Sequence, residues 1–593
     1  MAEYWDKYWN GRRSRRRFLG GAAATGVGAA SLALVGCGDD DNGGSTPGAS
    51  DLATPTPGAN ASPTAADPFA GAKKGGTYND AITGDPPSID PYGNLSFLTK
   101  GIVSFPYSRL FKYGTGVGKA VADLVPVPDI AQGAEPSPDG LVWTIKLRPD
   151  VKFHNIDPVN GRNVNADDVK YSWSRQIDPK NANSPRTTFV DKFEVIDPTT
   201  VKFTLKAPNA AFTDLLADAN LLWIMPSEAD GKFDPATKMI GSGPWIFESY
   251  QPNVSFQFKK NPDWYLSGFP LMDAVNMPII PEYPSRLAQF LAGNLDTEGI
   301  VADDLVSTKQ KIGSVQYYGE VSQLLSFFYF DNDPASPWQK DPRVRQAISM
   351  CLDRDTLTEV GYNTKKLRDA GLDVKSPWNN FIPAGLTRFW LDPQGPDMGE
   401  NAKYFKHDIA EAKKLLEAAG FKDGFTTKYQ YTANRYGATF NTIAETNIQM
   451  LQDIGIKVET EVQDYSSTYI TQTFAGNFKG IAFGYETPFP EAGGYARAYT
   501  PGDTGNHGHI NDPEVVSMFA KQQQELDPAK RKEIFYDIQR YVAGKMYYVP
   551  DQAGAGTGFT AYQPWIKNAL EINTVPGSYP IGTETIPFRW KDK

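Results

Sequence analysis

Segments that alternate with period two and segments with helical spacing follow one another along the whole stretch from Gly75 to Lys593, and this mixture limits the fold most. Val142-Trp143-Thr144-Ile145-Lys146-Leu147-Arg148 and Thr200 to Leu205 alternate as strands do, and Gly75-Gly76-Thr77-Tyr78 opens a first or edge strand. Trp245-Ile246-Phe247 and Val254 to Phe258 read as a strand pair, and Leu324 to Phe330 as a strongly apolar strand. Helices fall between them. Asn165 is an N-cap before Asp167-Asp168-Val169. Pro284 to Leu295, a start at Asp341-Pro342, Asp408 to Ala419, Thr439 to Gly455 and Asp527 to Lys545 all carry helical spacing or end signals. Asp85-Pro86-Pro87-Ser88-Ile89-Asp90-Pro91 cannot be helical, because its prolines lack the donor a helix needs. No segment repeats at a period of about 20–50 residues, which excludes a solenoid. The expected class is therefore α/β, with mixed α+β character and several sub-domains, on a chain long enough for two or three packed units.

The first 37 residues read as an address. Arg15 and Arg16 stand in Ser14-Arg15-Arg16-Arg17-Phe18-Leu19, a Gly/Ala-rich run follows to Ala33, and Leu34-Val35-Gly36-Cys37 ends it. A charged start, a short apolar middle and small residues before a cut site make a secretory signal. The apolar part is too short and too glycine-rich to span a core of ~30 Å. The arginine pair resembles the twin-arginine export signal, and Leu-Val-Gly-Cys resembles the bacterial lipobox, which implies that Cys37 becomes the lipid-modified first residue. The competing reading is a chance basic segment before a buried helix. Residues 37–74, rich in Gly, Ser, Thr, Pro and Ala after Asp39-Asp40-Asp41, cannot offset their ordering entropy and read as a tether. The expected location is extracytoplasmic, with contact to the membrane through the lipid alone.

Charge narrows the partners. The whole chain carries a net −10, and without residues 1–36 it holds 53 basic against 67 acidic residues. An acidic body with no basic block argues against nucleic acid. Of two cysteines, Cys351 lies in an apolar helical pattern and reads as a buried, inert thiol, so no disulfide is expected.

Several strings occur together in a fixed order: KKGGTYNDAITGDPPSIDPY, LVPVPDIAQGAEPSPDGLVWTIKLRPDVKFHN, NVNADDVKYSWSR, IGSGPWIFESYQPN, DPRVRQAISMCLDRDTL, DIAEAKKLLEAAGF and LQDIGIKVE. In this the chain resembles the family 5 extracellular solute-binding proteins of ABC transporters, which include oligopeptide, dipeptide and nickel binding proteins. The resemblance runs from about Lys74 to Arg589. It implies a bilobal, hinged fold of the periplasmic-binding-protein type. Residues 75–113, 226–315 and 549–593 would form the first lobe, 114–225 an extra sub-domain on it, and 316–548 the second lobe. It also implies capture of a peptide-like, polar or anionic solute in the inter-lobe cleft, delivery to ABC transporter permease subunits, a monomer, and no cofactor.

The same resemblance suggests ligand residues. In peptide-binding members an aspartate after a Gly-Trp pair clamps the ligand's α-amine. The matching stretch is Gly484-Tyr485-Glu486-Thr487-Pro488-Phe489-Pro490-Glu491, where Pro488 occupies the aspartate position and has neither carboxylate nor backbone donor. Glu486 is the nearby acid that could substitute. Dipeptide-type members hold the ligand carboxylate with an arginine that Arg435 matches, and its guanidinium suits an anion, though an ordinary surface ion pair is the plain alternative. Tyr485, Phe489, Ser96 and Phe97 are candidate wall residues, or core packing. The segment 362–397, rich in Pro and Trp, matches nothing that fixes its place.

Enzyme readings find less support. His507-Gly508-His509 could set two imidazoles on one side of a strand, but no nearby acid or cysteine completes a metal site. Gly554-Ala555-Gly556-Thr557-Gly558 lacks the strand-to-helix context of a nucleotide loop. Asp167-Asp168 reads as a helix start, and no Gly-x-Ser-x-Gly elbow occurs. The readings carried forward are solute capture for an importer, a ligand sensor or chaperone-like binding protein on the same scaffold, and a cleft hydrolase.

Overall fold

Four sheets carry the architecture in the computed structural model, which describes residues 69–93, 96–115, 125–181, 183–486, 488–572 and 581–593. Arg15, Arg16, Cys37 and nearly all of the tether lie outside these residues. The body begins earlier than the sequence boundary: Gly71 to Lys593 form one unit, and Lys73, assigned to the tether, pairs with Asp592.

The first sheet joins Trp245–Gln251, Ser255–Lys260 and Ala274–Pro278 antiparallel, with Thr77–Asn79 added parallel at the edge. Its apolar face packs Phe258 on Phe105 at 4.6 Å between ring centroids. Gly241 lets two backbones meet here. A Cβ at that position would stand 1.8 Å from the Pro106 carbonyl oxygen.

A second, antiparallel sheet holds Ala131–Pro136, Val142–Leu147, Thr200–Leu205 and Val190–Asp197. Helix Ala166–Ile177 covers it, with Trp173 edge-on to Phe203 at 5.1 Å. The N-cap read from sequence is present as a full capping box: the Asn165 side chain accepts from the backbone of Asp168, and the Asp168 carboxylate accepts from Asn165 N–H. Asp168 also pairs with Arg162 at 2.6 Å, and Arg162 pairs with Glu228 at 2.5 Å, which ties this sub-domain to the first half.

Thr297–Ile300, Thr557–Tyr562 and Gln316–Val321 make a third sheet, all antiparallel. The fourth belongs to the second half. Its strand order is Ile456–Gln463, Phe425–Thr432, Ile481–Tyr485, Ser326–Phe330 and Val549–Asp551. The first three run parallel, and the last two close the sheet antiparallel. The chain therefore crosses between the third and fourth sheets twice, at residues 322–325 and 552–556. The sequence boundaries at 316 and 549 fall a few residues from these crossings.

The crossings touch each other. Ser322 N–H donates to the Gly556 carbonyl at 3.2 Å. A Cβ on Gly554 would stand 2.5 Å from the Leu324 carbonyl oxygen, so only glycine allows the approach. The segment 362–397, unplaced by sequence, braces this pair. The Tyr362 hydroxyl donates to the Ala553 carbonyl, and the Asn379 amide donates to the Leu324 carbonyl at 3.0 Å. Arg354, 1% exposed, donates to the carbonyls of Ser349 (3.0 Å), Phe405 (2.6 Å) and Pro550 (3.1 Å), pinning the entry to the second crossing.

The sub-domain does not pack on the first half alone. One buried apolar cluster runs from Phe111, Phe203 and Phe212 to Phe327, Phe483 and Phe535 of the second half. Ala210 N–H donates to the Gln523 carbonyl across that seam at 2.7 Å. Cys351 is buried within the second half, as its helical pattern predicts.

Candidate functional site

Three loops meet where the parallel strands of the fourth sheet end. They follow Thr432, Gln463 and Tyr485, so all leave the carboxyl ends of neighbouring parallel strands, the place where open α/β sheets form their ligand crevices. Asn434 locks two of them together. Its amide donates to Asp464 at 2.7 Å, and its side-chain oxygen accepts from Tyr465 N–H at 3.1 Å. Arg435 follows directly, exposed, with its guanidinium 5.6 Å from the Tyr465 ring centroid. Arg435 has no hydrogen-bond or ion-pair partner among the described residues.

Beside it stands an aromatic wall. Phe483 and Tyr485 share one face of their strand, since side chains alternate along it. Phe440, from helix Ala438–Asp453, stacks on Phe483 at 4.9 Å and meets Tyr485 at 5.0 Å. Tyr436 lies edge-on to Tyr485 at 4.9 Å and to Tyr465 at 5.8 Å. The Tyr485 hydroxyl donates to the Ala553 carbonyl at 2.9 Å, so the wall is bonded directly to the second crossing. Burial pushes the Tyr485 and Tyr436 hydroxyls above their usual range and keeps both neutral.

Period two sends the next side chain the other way. Glu486 turns to the opposite face and is 2% exposed. Its carboxylate lies 3.3 Å from Nε2 of His507, itself 2% exposed, and the Phe474 and Tyr329 rings close over the imidazole at 4.0 and 4.9 Å. The expectation that Glu486 faces a ligand amine thus meets a carboxylate turned into the core. His507 and His509 part company as well: the His509 ring contacts the Gly476 carbonyl at 3.2 Å. No group of three or more histidine, cysteine or acidic residues suited to a metal exists among the described residues.

Phe489 and Pro488 are half-buried in the loop beyond Tyr485. Phe489 meets Tyr495 edge-on at 5.3 Å, and the Arg497 guanidinium lies 6.0 Å from its centroid. Ser96 and Phe97 stand in the first half. The Ser96 hydroxyl caps helix Phe97–Val103, accepting from Leu98 N–H at 3.2 Å, and Phe97 is 40% exposed. The structure thus brings Arg435 and Tyr485 together through Tyr436 and Tyr465. It turns Glu486 away, and it sets Ser96 and Phe97 on a separate helix. Sequence reading missed Tyr436, Phe440 and Tyr465. Tyr436 and Phe440 at i, i+4 were the one available signal.

Two cavities lie elsewhere. A polar one of about 620 Å³ sits on the other face of the fourth sheet, lined by Gln430, Gln463, Lys479 and His509 among others. A first-half cavity of about 280 Å³ is lined by Tyr78, Asp80, Glu298, Tyr318, Glu320 and Tyr562 among others. Burial, with repulsion from Glu298, raises Asp80 to about 7, and burial alone raises Glu320 to about 7.

Comparison with known proteins fits this layout. The model of the bacterial extracellular solute-binding proteins, family 5 middle, matches residues 125–506. The glutathione-binding protein GsiB of Pectobacterium atrosepticum is 24% identical over 468 residues, covering 76% of this chain and 84% of its own. GsiB of Salmonella typhi is 26% identical over 476 residues, covering 78% and 86%. Among solved structures, the ABC transporter substrate-binding protein CtaP of Listeria monocytogenes superposes with a TM-score of 0.71 at 22% identity, over 88% of this chain and all of that one. The DppA periplasmic binding protein of Helicobacter pylori, in complex with the peptide STSA, gives 0.67 at 22% identity, over 89% of this chain and 100% of that one. These two likenesses establish the bilobal periplasmic-binding-protein fold.

Proposed function

Because the chain belongs to the bacterial extracellular solute-binding proteins of family 5, we propose that it captures a small anionic or peptide-like solute between its halves and hands it to the permease of an ABC importer. The observation that carries the solute class is Arg435. It is a guanidinium with no hydrogen-bond or ion-pair partner among the described residues, set at the carboxyl ends of three parallel strands and beside an aromatic wall. A guanidinium binds carboxylate or phosphate through two parallel hydrogen bonds, and Tyr436, Tyr465 and Tyr485 offer apolar faces to the rest of the ligand. Pro488 occupies the place of an amine clamp, and Glu486 is committed to His507, so a free α-amine is not required. The named relatives GsiB bind glutathione, and a γ-linked peptide with two carboxylates is a fitting first probe.

Ligand contacts from both halves favour the shut form, and the paired crossings at 322–325 and 552–556 supply the hinge. Tyr485 and Tyr362 both donate to the Ala553 carbonyl, so the wall and the brace report to one hinge residue. Export through Arg15 and Arg16, lipidation of Cys37, an extracytoplasmic membrane-anchored location and a monomeric state belong to the same reading. Among the described residues, no helix is long and apolar enough to cross a membrane.

The test is intrinsic-fluorescence titration with glutathione, short peptides, N-blocked peptides, dicarboxylates and phosphorylated sugars. Reversible binding of at least one anionic compound is expected, with Arg435→Ala weakening it about tenfold to a hundredfold, as for loss of a charge-assisted pair. Unchanged affinity in that variant would end the assignment of Arg435.

A further inference from the structure

Outside the aromatic wall, the seam between the sub-domain and the second half holds four charges with little exposure. Asp214 stands on helix Phe212–Ala217 of the sub-domain, with its side chain 2% exposed. Arg388, from the bracing segment 362–397, reaches across and lies 3.3 Å from its carboxylate. Behind it, Glu491 pairs with Arg531 at 2.5 Å, and Arg531 also donates to the Gln522 side chain at 2.8 Å. Both guanidiniums flank one ring: Arg388 lies 4.7 Å and Arg531 5.3 Å from the Phe389 centroid.

The helix that carries Asp214 is fastened to the first half. Arg109 donates to the Ala217 carbonyl at 2.7 Å and pairs with Glu584 at 2.6 Å, both partners being buried. Opening the halves about the two crossings therefore has to pull Asp214 away from Arg388. It also wets a carboxylate that the shut form keeps almost dry. Glu491 lies two residues beyond Phe489 and accepts from Gly493 N–H at 2.7 Å, so the second-half side of the seam continues into the loop that follows the wall.

We propose that Asp214 and Arg388 form a clasp across this seam that biases the two halves toward the shut form, Arg388 serving to offset the cost of drying the Asp214 carboxylate on closure. The proposal rests on the reading that capture is closure of the two halves. Neither residue touches the wall, so both act as positioning residues.

Charge explains the direction of the effect. Asp214 faces Arg388, Glu491 and Arg531 from the second half, with the Tyr113 hydroxyl bonded to its own carbonyl. Burial pushes the carboxyl up to about 6, Arg388 and Arg531 opposing and Glu491 adding to the rise. In an opened form the group returns toward its ordinary value of about 4. The proton thus binds the shut form more tightly. Closure is helped as pH falls through about 6 and loses that help as pH rises. At neutral pH the carboxylate is charged, and Arg388 then matters most, since removing one partner of a buried pair strands the other.

Hydrogen exchange and small-angle scattering on the full unliganded chain, at pH 7.5 and pH 5 with exchange corrected for intrinsic rate, test the clasp. Arg388→Ala is expected to speed exchange in Phe212–Ala217 about tenfold at pH 7.5 and to enlarge the radius of gyration. The difference should shrink at pH 5. Arg388→Lys should fall between, and the double variant Asp214→Asn with Arg388→Ala should return near the native exchange, because no stranded carboxylate remains. A structural loss at Arg388 would instead leave the double variant as open as the single one. That result, or native exchange in Arg388→Ala, would overturn the proposal. No solute is needed, so a chain that opens as described while binding nothing in the titration panel would keep the clasp and remove the solute reading.

Discussion

Arg354, buried in the second half, and Asp80 and Glu320, half-buried in the first, are charges partly or wholly withdrawn from water, and they are treated in opposite ways. Arg354 is 1% exposed, and its two terminal nitrogens donate to the carbonyls of Ser349, Phe405 and Pro550 and to the Ser349 hydroxyl, while its Nε–H is buried without a partner among the described residues. Asp80 and Glu320 line a cavity with tyrosines, and no ion-pair partner reaches either carboxylate among the described residues. Burial shifts all three toward their neutral forms: Arg354 falls to about 10, and the two acids rise to about 7. A charge bonded at both terminal nitrogens anchors structure, because its removal strands its partners. An unmatched charge stores a cost that a proton, or a cation, can relieve.

Substitutions break this comparison in order of size. Arg354→Met is expected to cost about 3–5 kcal/mol, because it leaves carbonyls unpaired at the entry to the second crossing. Thermal unfolding reads it, and a loss under about 1 kcal/mol would mean that the carbonyls find water. Asp80→Asn combined with Glu320→Gln should act in the other direction and stabilise the chain. The folded-state values of both acids lie above their unfolded ones, so their contribution is most favourable below about pH 4 and is lost as pH rises toward 7. The pair of substitutions should therefore gain of order 2–4 kcal/mol at pH 8 and almost nothing at pH 4. A gain equal at both would show that charge is not the cause. Tyr485→Phe removes one hydrogen bond to the Ala553 carbonyl and leaves the ring contacts with Tyr436 and Phe440, so about 0.5–1.5 kcal/mol is expected. Comparing its effect on solute affinity with its effect on unfolding tells whether that bond steadies the wall or only the hinge.

Much of the architecture was legible locally. Period-two runs became strands at Val142–Leu147 and Thr200–Leu205, and the Asn165 cap formed its box with Asp168. These features are written in neighbouring residues, where backbone geometry alone decides them. The contacts within the paired crossings were not legible. Gly554 and Gly556 read as a loop, and their need for glycine comes from Leu324 and Tyr362, far away in sequence. Segment 362–397 was opaque for the same reason: its partners Leu324 and Ala553 belong to the crossings, not to itself. At the candidate site, Arg435 and Tyr485 were singled out by likeness to a family motif, whereas Tyr436 and Tyr465 join them only because parallel strands bring three loop ends together. The position of Glu486 turns on a simple point. One residue beyond Tyr485 the strand alternation still holds, and it carries an acid that looked available into contact with His507.

The two antiparallel strands Gln316–Val321 and Thr557–Tyr562 are neighbours in the third sheet, and everything from Ser322 to Gly556 hangs from them. In topological terms the entire second half is the loop of one hairpin. The second half is thus joined to the first through two neighbouring strands of a three-stranded sheet. If the halves move as proposed, a twist between those two strands is carried to the parallel-strand ends, and to Arg435 with them.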